Sequence, residues 1–183
     1  MIHDMALFGL HTGLREQWIC GLKWEWERKI PTLGQDVFVF ELPDSKNGSP
    51  MYAFCNSVAR EVINRQRGKD PEYLFAYDGH RISKMNNSAW KTARKKAGLE
   101  NIFGQSQSKM PRHFRVHDLR VTCSTWLREA GVPREDRKAI LNHYNGDITT
   151  HYSVAEIGNV LGQVEKLATL VHKPSFYLVR ATG

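Results

Sequence analysis

Two groups of residues in the C-terminal half have types and spacings that could do chemistry. His117-Asp118-Leu119-Arg120 opens one helical segment, and Leu141-Asn142-His143 is followed nine positions later by Tyr152, within Thr149-Thr150-His151-Tyr152-Ser153. A phenol becomes a nucleophile once a base accepts its proton, and imidazole titrates close to working pH. Guanidinium keeps its charge and presents paired donors that fit the oxygens of a phosphate. Taken alone, Tyr152 is an ordinary half-buried aromatic. His113 and His117 stand four apart and could share a helix face, but the residues between them supply no glutamate base and no third ligand is evident, so zinc is not expected.

The chain carries 26 Lys and Arg against 19 Asp and Glu, a formal charge of +7. Such a surface attracts polyanions, and nucleic acid is the first partner to consider. An anionic membrane would attract the same charge, yet no apolar run reaches the roughly 18 residues of a spanning helix. Asp4, His11, Arg15 and Glu16 interrupt the only apolar stretch near the start, which excludes a signal peptide there. Cys20, Cys55 and Cys123 lie too far apart for a disulfide framework or a zinc cage, and read as small buried apolar residues in a reducing cytoplasm. With 183 residues, 41% of them hydrophobic, one globular domain is expected.

Certain elements must position these residues. Leu7, Leu10, Leu14, Trp18 and Leu22 recur at spacings of three and four, which predicts one helix from Met5 to about Gly21. Residues 36 to 54 read as a β-hairpin: a β-rich run from Val37 to Leu42, a turn of Pro43, Asp44, Asn47 and Gly48 that includes Lys46, and a second strand from Pro50 to Phe54. Asn56 caps a helix running to about Arg67. A short strand from Tyr73 to Tyr77 leads through Asp78-Gly79 to a basic helix from about Asn86 to Ala97, closed by Gly98. A polar loop from Glu100 to Pro111 follows. Three helices complete the chain: His117 to Ala130, Pro133 to Leu141, and Ala155 to Leu170. The apolar run Phe176-Tyr177-Leu178-Val179 is too short to fold alone.

His117-x-x-Arg120, the Leu141-Asn142-His143 box and Tyr152 together resemble the tyrosine recombinases, or phage integrases, whose nucleophile lies nine residues after the histidine of a Leu-Gly-His-like box. The stretch between the boxes, with Trp126-Leu127-Arg128-Glu129-Ala130-Gly131-Val132-Pro133, is similar to the family's linker. Thr12-Gly13-Leu14-Arg15, then Gly21-Leu22-Lys23-Trp24, resembles the box that supplies the family's first catalytic arginine. The family's catalytic lysine sits in a β-hairpin connection, and Lys46 in Ser45-Lys46-Asn47-Gly48 occupies such a place, with Lys109 and Lys23 as competitors. Any one box recurs by accident; the ordered set over residues 12 to 153 is specific.

The resemblance implies a role for each residue. Tyr152 attacks the scissile phosphorus and forms a 3′-phosphotyrosyl bond. Arg15 and Arg120 grip the non-bridging oxygens, Lys46 protonates the departing 5′ oxygen, His117 takes the tyrosine proton or orients the phosphate, and His143 donates a hydrogen bond to a phosphate oxygen. No metal and no cofactor is required. Each has a plainer use as well: Arg15 pairing with Glu16, and Lys46 as a solvated charge. Lys91, Arg94 and Lys95 on the basic helix, with Arg112 and Arg115, are placed to track the backbone of double-stranded DNA. The implied fold is mainly α with a small antiparallel β-sheet (α+β): about seven helices, with two or three strands on one side.

Residues 1 to 173 correspond to the catalytic domain and 174 to 183 to a tail. The N-terminal domain that clamps the other side of the DNA has no room before the first box, which implies weak, salt-sensitive binding. Members of the family act as tetramers, with the segment after the tyrosine docked on a neighbour, and residues 155 to 180 suit that. The function implied is site-specific recombination that integrates or excises a mobile element, in the cytoplasm of a bacterium or its phage. A type IB topoisomerase and a non-catalytic DNA-binding remnant remain open. Two departures from the family stand out: Trp18 occupies the place of an acidic residue that supports the first arginine, and Asn142 stands where glycine is commoner.

Overall fold

The computed structural model describes residues 1–34, 37–43, 51–100, 113–143 and 153–170. Lys46, Lys109, Arg112, Tyr152 and the tail from 174 lie outside the described residues. Within them the expected mainly α fold is present, as seven α-helices, a three-stranded antiparallel sheet and a separate two-stranded hairpin.

Helix α1 (Ile2–Thr12) lies at the centre, packed against α3 (Ser57–Gln66), α5 (Val116–Glu129) and α7 (Val154–Leu170). The single helix expected through Gly21 is two. Gly13 ends α1 in the left-handed region at φ 64°, and α2 (Glu16–Gly21) starts after Arg15. Leu14, Trp18 and Leu22 keep the helical spacing across the break, which is why periodicity alone missed it. Only glycine fits this corner, because a Cβ on Gly13 would lie 2.6 Å from Leu141 Cδ2 and 3.1 Å from Cys123 Sγ.

The sheet runs β1 (Glu27–Lys29), β2 (Phe38–Leu42) and β3 (Met51–Phe54), with Glu27 opposite Phe40 and Val39 opposite Phe54. It has a core on each face. Phe38, Phe40, Leu42 and Ala53 join the cluster built on Met5, Phe8, Ile19 and Leu119, whereas Val39 and Phe54 join Leu127, Ile140, Leu141, Val160 and Val164. Burial on both faces explains the unbroken apolar run of β2. The first strand was not expected, since Glu27-Arg28-Lys29 has no apolar alternation. Ion pairs hold it instead: Arg67 grips Glu27 with two bonds of 2.9 and 3.0 Å, and Arg28 Nε meets Glu41 at 2.8 Å. The expected strand at Tyr73 to Tyr77 resolves into a bridge from Lys23 to Tyr73 and a hairpin of β4 (Ala76–Tyr77) and β5 (His80–Arg81). Asp78 and Gly79 form its turn, both at positive φ.

Asn56 caps α3 as expected, through Oδ1 to the amide of Ala59 at 3.0 Å. Asn87 does the same for α4 (Ser88–Lys96), and α6 (Arg134–Ile140) follows Pro133. All three cysteines are buried and free, and burial pushes their thiols up to about 11 for Cys20 and about 12 for Cys55 and Cys123.

A polar knot ties three helices together. The Asn56 side-chain amide donates to His11 Nδ1 at 2.9 Å and to the Val164 carbonyl at 3.2 Å, and Glu165 accepts from the amide of Ser57 at 2.9 Å. His11 is fully buried, and burial lowers its pKa from 6.5 to about 4, against a smaller opposing effect of Glu165. The unfolded chain therefore binds the extra proton first as pH falls. Stability from this site is complete above pH 6.5 and is lost as the pH drops through about 4, costing about 3 kcal/mol between pH 7 and 4. Urea unfolding at pH 7 and 4 checks this, and His11→Gln should remove that part of the slope.

Candidate active site

Arg120 is the joint of the site. It sits on the second turn of α5, only 5% exposed, and its two terminal nitrogens donate to backbone carbonyls of separate segments. One bond reaches Gly13 at 2.6 Å and the other reaches Leu141. Gly13 lies two residues before Arg15 and Leu141 two before His143, so one buried guanidinium sets the spacing of both. Buried carbonyls need a partner, and Arg120 supplies it at two chain corners at once. A guanidinium has five N–H donors, so three remain for a substrate oxygen.

Arg15 is exposed at the N-cap of α2, where its own carbonyl accepts from the amides of Trp18 at 2.9 Å and Ile19 at 3.2 Å. Among the described residues no carboxylate pairs with Arg15 or with Arg120. Glu16, the plainer partner for Arg15, is engaged elsewhere: its Oε1 accepts from the amides of Met85 at 2.6 Å and Asn86 at 3.1 Å, which fastens the approach to α4 against α2. Trp18 packs edge-on against Trp26, with ring centroids 6.2 Å apart. The backbone of Arg15 is thus fixed as a helix N-cap, and among the described residues no acidic neighbour pairs with its side chain.

The electrostatics place Arg15, Arg120 and His143 in one neighbourhood. Burial, then the charge of Arg15, brings Arg120 down to about 10, still well charged at neutral pH. Partial burial, then Arg120 and Arg15, lowers His143 below its ordinary value. These are cations and a titratable base set together with no protein anion between them among the described residues, which is how a protein prepares a receptor for an anion. A bound phosphate would relieve the repulsion and offer acceptors to all three.

His117 stands one turn before Arg120 on α5, at i and i+3 on one side of the helix, and is exposed. Its neighbour Asp118 closes the start of that helix, accepting from the Arg115 amide at 2.7 Å and from the Arg115 side chain at 3.2 Å. His113 Nδ1 hydrogen-bonds the carbonyl of Glu100 at 2.5 Å.

His143 leaves α6 through a tight cap. Its amide donates to the Lys138 carbonyl at 2.9 Å, and the Asn142 amide donates to Ala139 at 3.0 Å, with Asn142 at φ 47°. This is the paired hydrogen-bond pattern of a helix ended by a left-handed residue. Asparagine is among the few residues other than glycine that accept that conformation. Its side chain also reaches β3, accepting from the Tyr52 amide at 3.2 Å and donating to the Tyr52 carbonyl at 2.9 Å. The sequence offered the helix stop at Asn142 but no sign of this second contact, which joins residues 90 positions apart.

Of the DNA-tracking set, Lys91 and Lys95 are exposed on α4. Arg94 is turned inward, its side chain 13% exposed and 3.8 Å from Glu100, so it is less available to a phosphate than expected. Arg115 remains largely exposed while paired with Asp118.

A sequence model of the phage integrase family matches residues 2–156. The integrase of Salmonella phage P22 is 32% identical over 148 residues, covering 72% of this chain and 33% of that protein. The chain therefore spans one third of the curated relative that it matches. Among solved structures, the Tn1549 transposon integrase in complex with circular intermediate DNA superposes with a TM-score of 0.52 at 18% identity, over 84% of this chain and 55% of that one. A variant of it in complex with transposon right end DNA gives 0.54 at 17% identity, over 88% and 58%. At such identities these structures establish the fold alone. The match of the family model over most of the sequence goes further: this chain belongs to the phage integrase family.

Proposed function

We propose that the chain is the catalytic domain of a tyrosine-type site-specific recombinase that integrates or excises a mobile element. It cuts one strand of duplex DNA and rejoins it to another. The observation that carries this reading is the meeting of Arg15, Arg120 and His143 with no carboxylate partner for either arginine among the described residues, at the join of three chain segments.

The scissile phosphate binds between Arg15 and Arg120, which hold its non-bridging oxygens and stabilise the negative charge of the five-coordinate transition state. The Tyr152 oxygen attacks phosphorus, its proton leaving to His117, and a 3′-phosphotyrosyl bond forms as the bond to the 5′ oxygen breaks. Lys46 supplies the proton that the 5′ oxygen takes up. Neutral His143, favoured by its lowered pKa, donates an N–H to a phosphate oxygen. The phosphotyrosyl bond conserves the energy of the broken ester, so a 5′ hydroxyl from the partner strand reverses the steps without ATP or a metal.

Lys91 and Lys95, with Arg112 and Arg115, contact the DNA backbone and fix register without reading sequence. The relatives support DNA as substrate, since the Tn1549 integrase structures contain it. Pairing of two sites calls for a homotetramer, with the segment after Tyr152 docking on a neighbouring copy, in the cytoplasm of the host cell. Among the described residues no helix is long and apolar enough to cross a membrane.

The test is a duplex nicked just beyond the scissile phosphate, from which the cut product diffuses away and traps the intermediate. The expected result is a protein–DNA adduct whose nucleotide maps to the peptide containing Tyr152. No adduct with DNA carrying the element's own ends would overturn recombination in favour of a DNA-binding protein without the chemistry. Rapid relaxation of any plasmid without a defined site would move the reading to a topoisomerase.

A further inference from the structure

Residues 141 to 143 form a junction that no part of the phosphate chemistry explains. The Leu141 carbonyl is held by Arg120, His143 carries the imidazole, and between them Asn142 turns its side chain away from the site onto β3. Both polar atoms of its carboxamide are used there, one on each backbone group of Tyr52. The pair copies the exchange between two facing strand residues, so the turn is bonded to the sheet as if it were a strand end.

Two separate properties are combined at this position. The backbone at φ 47° completes the cap of α6, with the His143 amide bonded to Lys138, and glycine would do that equally well. The clamp on Tyr52 needs an amide side chain of this length, which glycine lacks. Without the clamp, the hydrogen bonds left to the turn among the described residues are those to Arg120 and to its own seven-residue helix.

We propose that Asn142 is a positioning residue: by fastening the His143 turn to β3 it delivers His143 to the phosphate held by Arg15 and Arg120 at a fixed place. This rests on the recombinase reading for its catalytic consequence but not for its geometry. Asn142 touches no reacting atom and acts through His143. The sheet is the stiff reference against which the turn is set, since β3 is hydrogen-bonded along β2 and packed on both faces. A catalytic group displaced by about an ångström loses one to two orders of magnitude in rate.

The experiment compares the full chain with Asn142→Gly, which keeps the helix cap and removes only the clamp. Single-turnover adduct formation at saturating nicked DNA should fall roughly ten- to a hundred-fold, with DNA affinity unchanged within about two-fold. In a His143→Ala background the same substitution should cost nothing further, because the group it positions is gone. Titration of the histidine ring protons by NMR, with His143 assigned from its own substitution, should show its pKa rising toward the ordinary value in Asn142→Gly as the ring leaves Arg120 and Arg15. Asn142→Ala, which strains the left-handed backbone as well, should fall further in rate and unfold earlier. A ten-fold loss that persists in His143→Ala, or an unchanged His143 titration in Asn142→Gly, overturns the proposal. If the wild-type chain forms no adduct with any DNA, the recombinase reading fails on its own, and the His143 titration still decides whether Asn142 holds the turn.

Discussion

Tyr152→Phe is expected to bind DNA as the wild-type chain does and to form no covalent adduct at all. Phenylalanine keeps the ring and removes only the oxygen that attacks phosphorus, so packing and the cationic surface are unchanged while the bond-forming atom is gone. On the proposed mechanism water is not a ready substitute, because the reaction relies on a nucleophile that the protein itself delivers. The expected loss in cleavage rate is at least about 10⁴-fold, which is the scale seen when a covalent nucleophile is removed and only binding and charge stabilisation remain. Denaturing gels of trapped complexes measure the adduct, and fluorescence anisotropy on the same samples measures binding. An adduct of undiminished yield in Tyr152→Phe would assign the nucleophile to another residue.

Arg120 should give the second largest effect, and on two measurements at once. Its guanidinium serves the proposed phosphate and also bonds the carbonyls of Gly13 and Leu141. Arg120→Ala removes the donors of two buried carbonyls and leaves a cavity, which should lower stability by about 2–4 kcal/mol. Cleavage should fall about 10³-fold or more, because a transition-state donor is lost and both Arg15 and His143 lose their common brace. Arg120→Lys separates the two effects. A single ammonium cannot bridge corners that a planar fork spans, so cleavage should remain low although the charge is restored, and DNA affinity should recover more than rate. Urea unfolding and single-turnover kinetics on the two variants check this. Near-normal cleavage in Arg120→Lys would mean that charge alone matters there and that the brace does not.

The site was partly legible because its chemistry is written in local boxes. His117-Asp118-Leu119-Arg120 is one helix turn, and the nine residues from His143 to Tyr152 are a fixed length of chain, so both survive any folding of the rest. Arg15 was legible only through its neighbours Thr12-Gly13-Leu14, and the reason for the glycine was not. Gly13 is there because Leu141 and Cys123 crowd it, residues more than 100 positions away. The departure at Trp18 has the same character. An acidic residue was missing from the expected place, and the structure holds Arg15 as a helix N-cap instead, while Glu16 fastens the segment before α4.

The misreadings of fold follow a physical pattern. A helical period continued across Gly13 because both α1 and α2 bury apolar residues against the same core, although their axes are broken between them. The first strand was invisible since its three residues are charged and its pairing is settled by Arg67 and Glu41 from other elements. Arg94 looked like a surface cation on a basic helix, but its position on α4 turns it toward Glu100.

The sequence by itself determined the family order of a tyrosine, two histidines and paired arginines, from which the proposed chemistry is read, on a basic chain with a helix cap at Asn56. These depend on residue type and short spacing, which the local chain carries. The tertiary structure alone decided how Arg15, Arg120 and His143 come together, because their meeting depends on one guanidinium bonding two distant carbonyls and on Asn142 bonding a strand 90 residues away. Such bonds join backbone groups that every residue possesses, so no pattern of side chains along the sequence announces them.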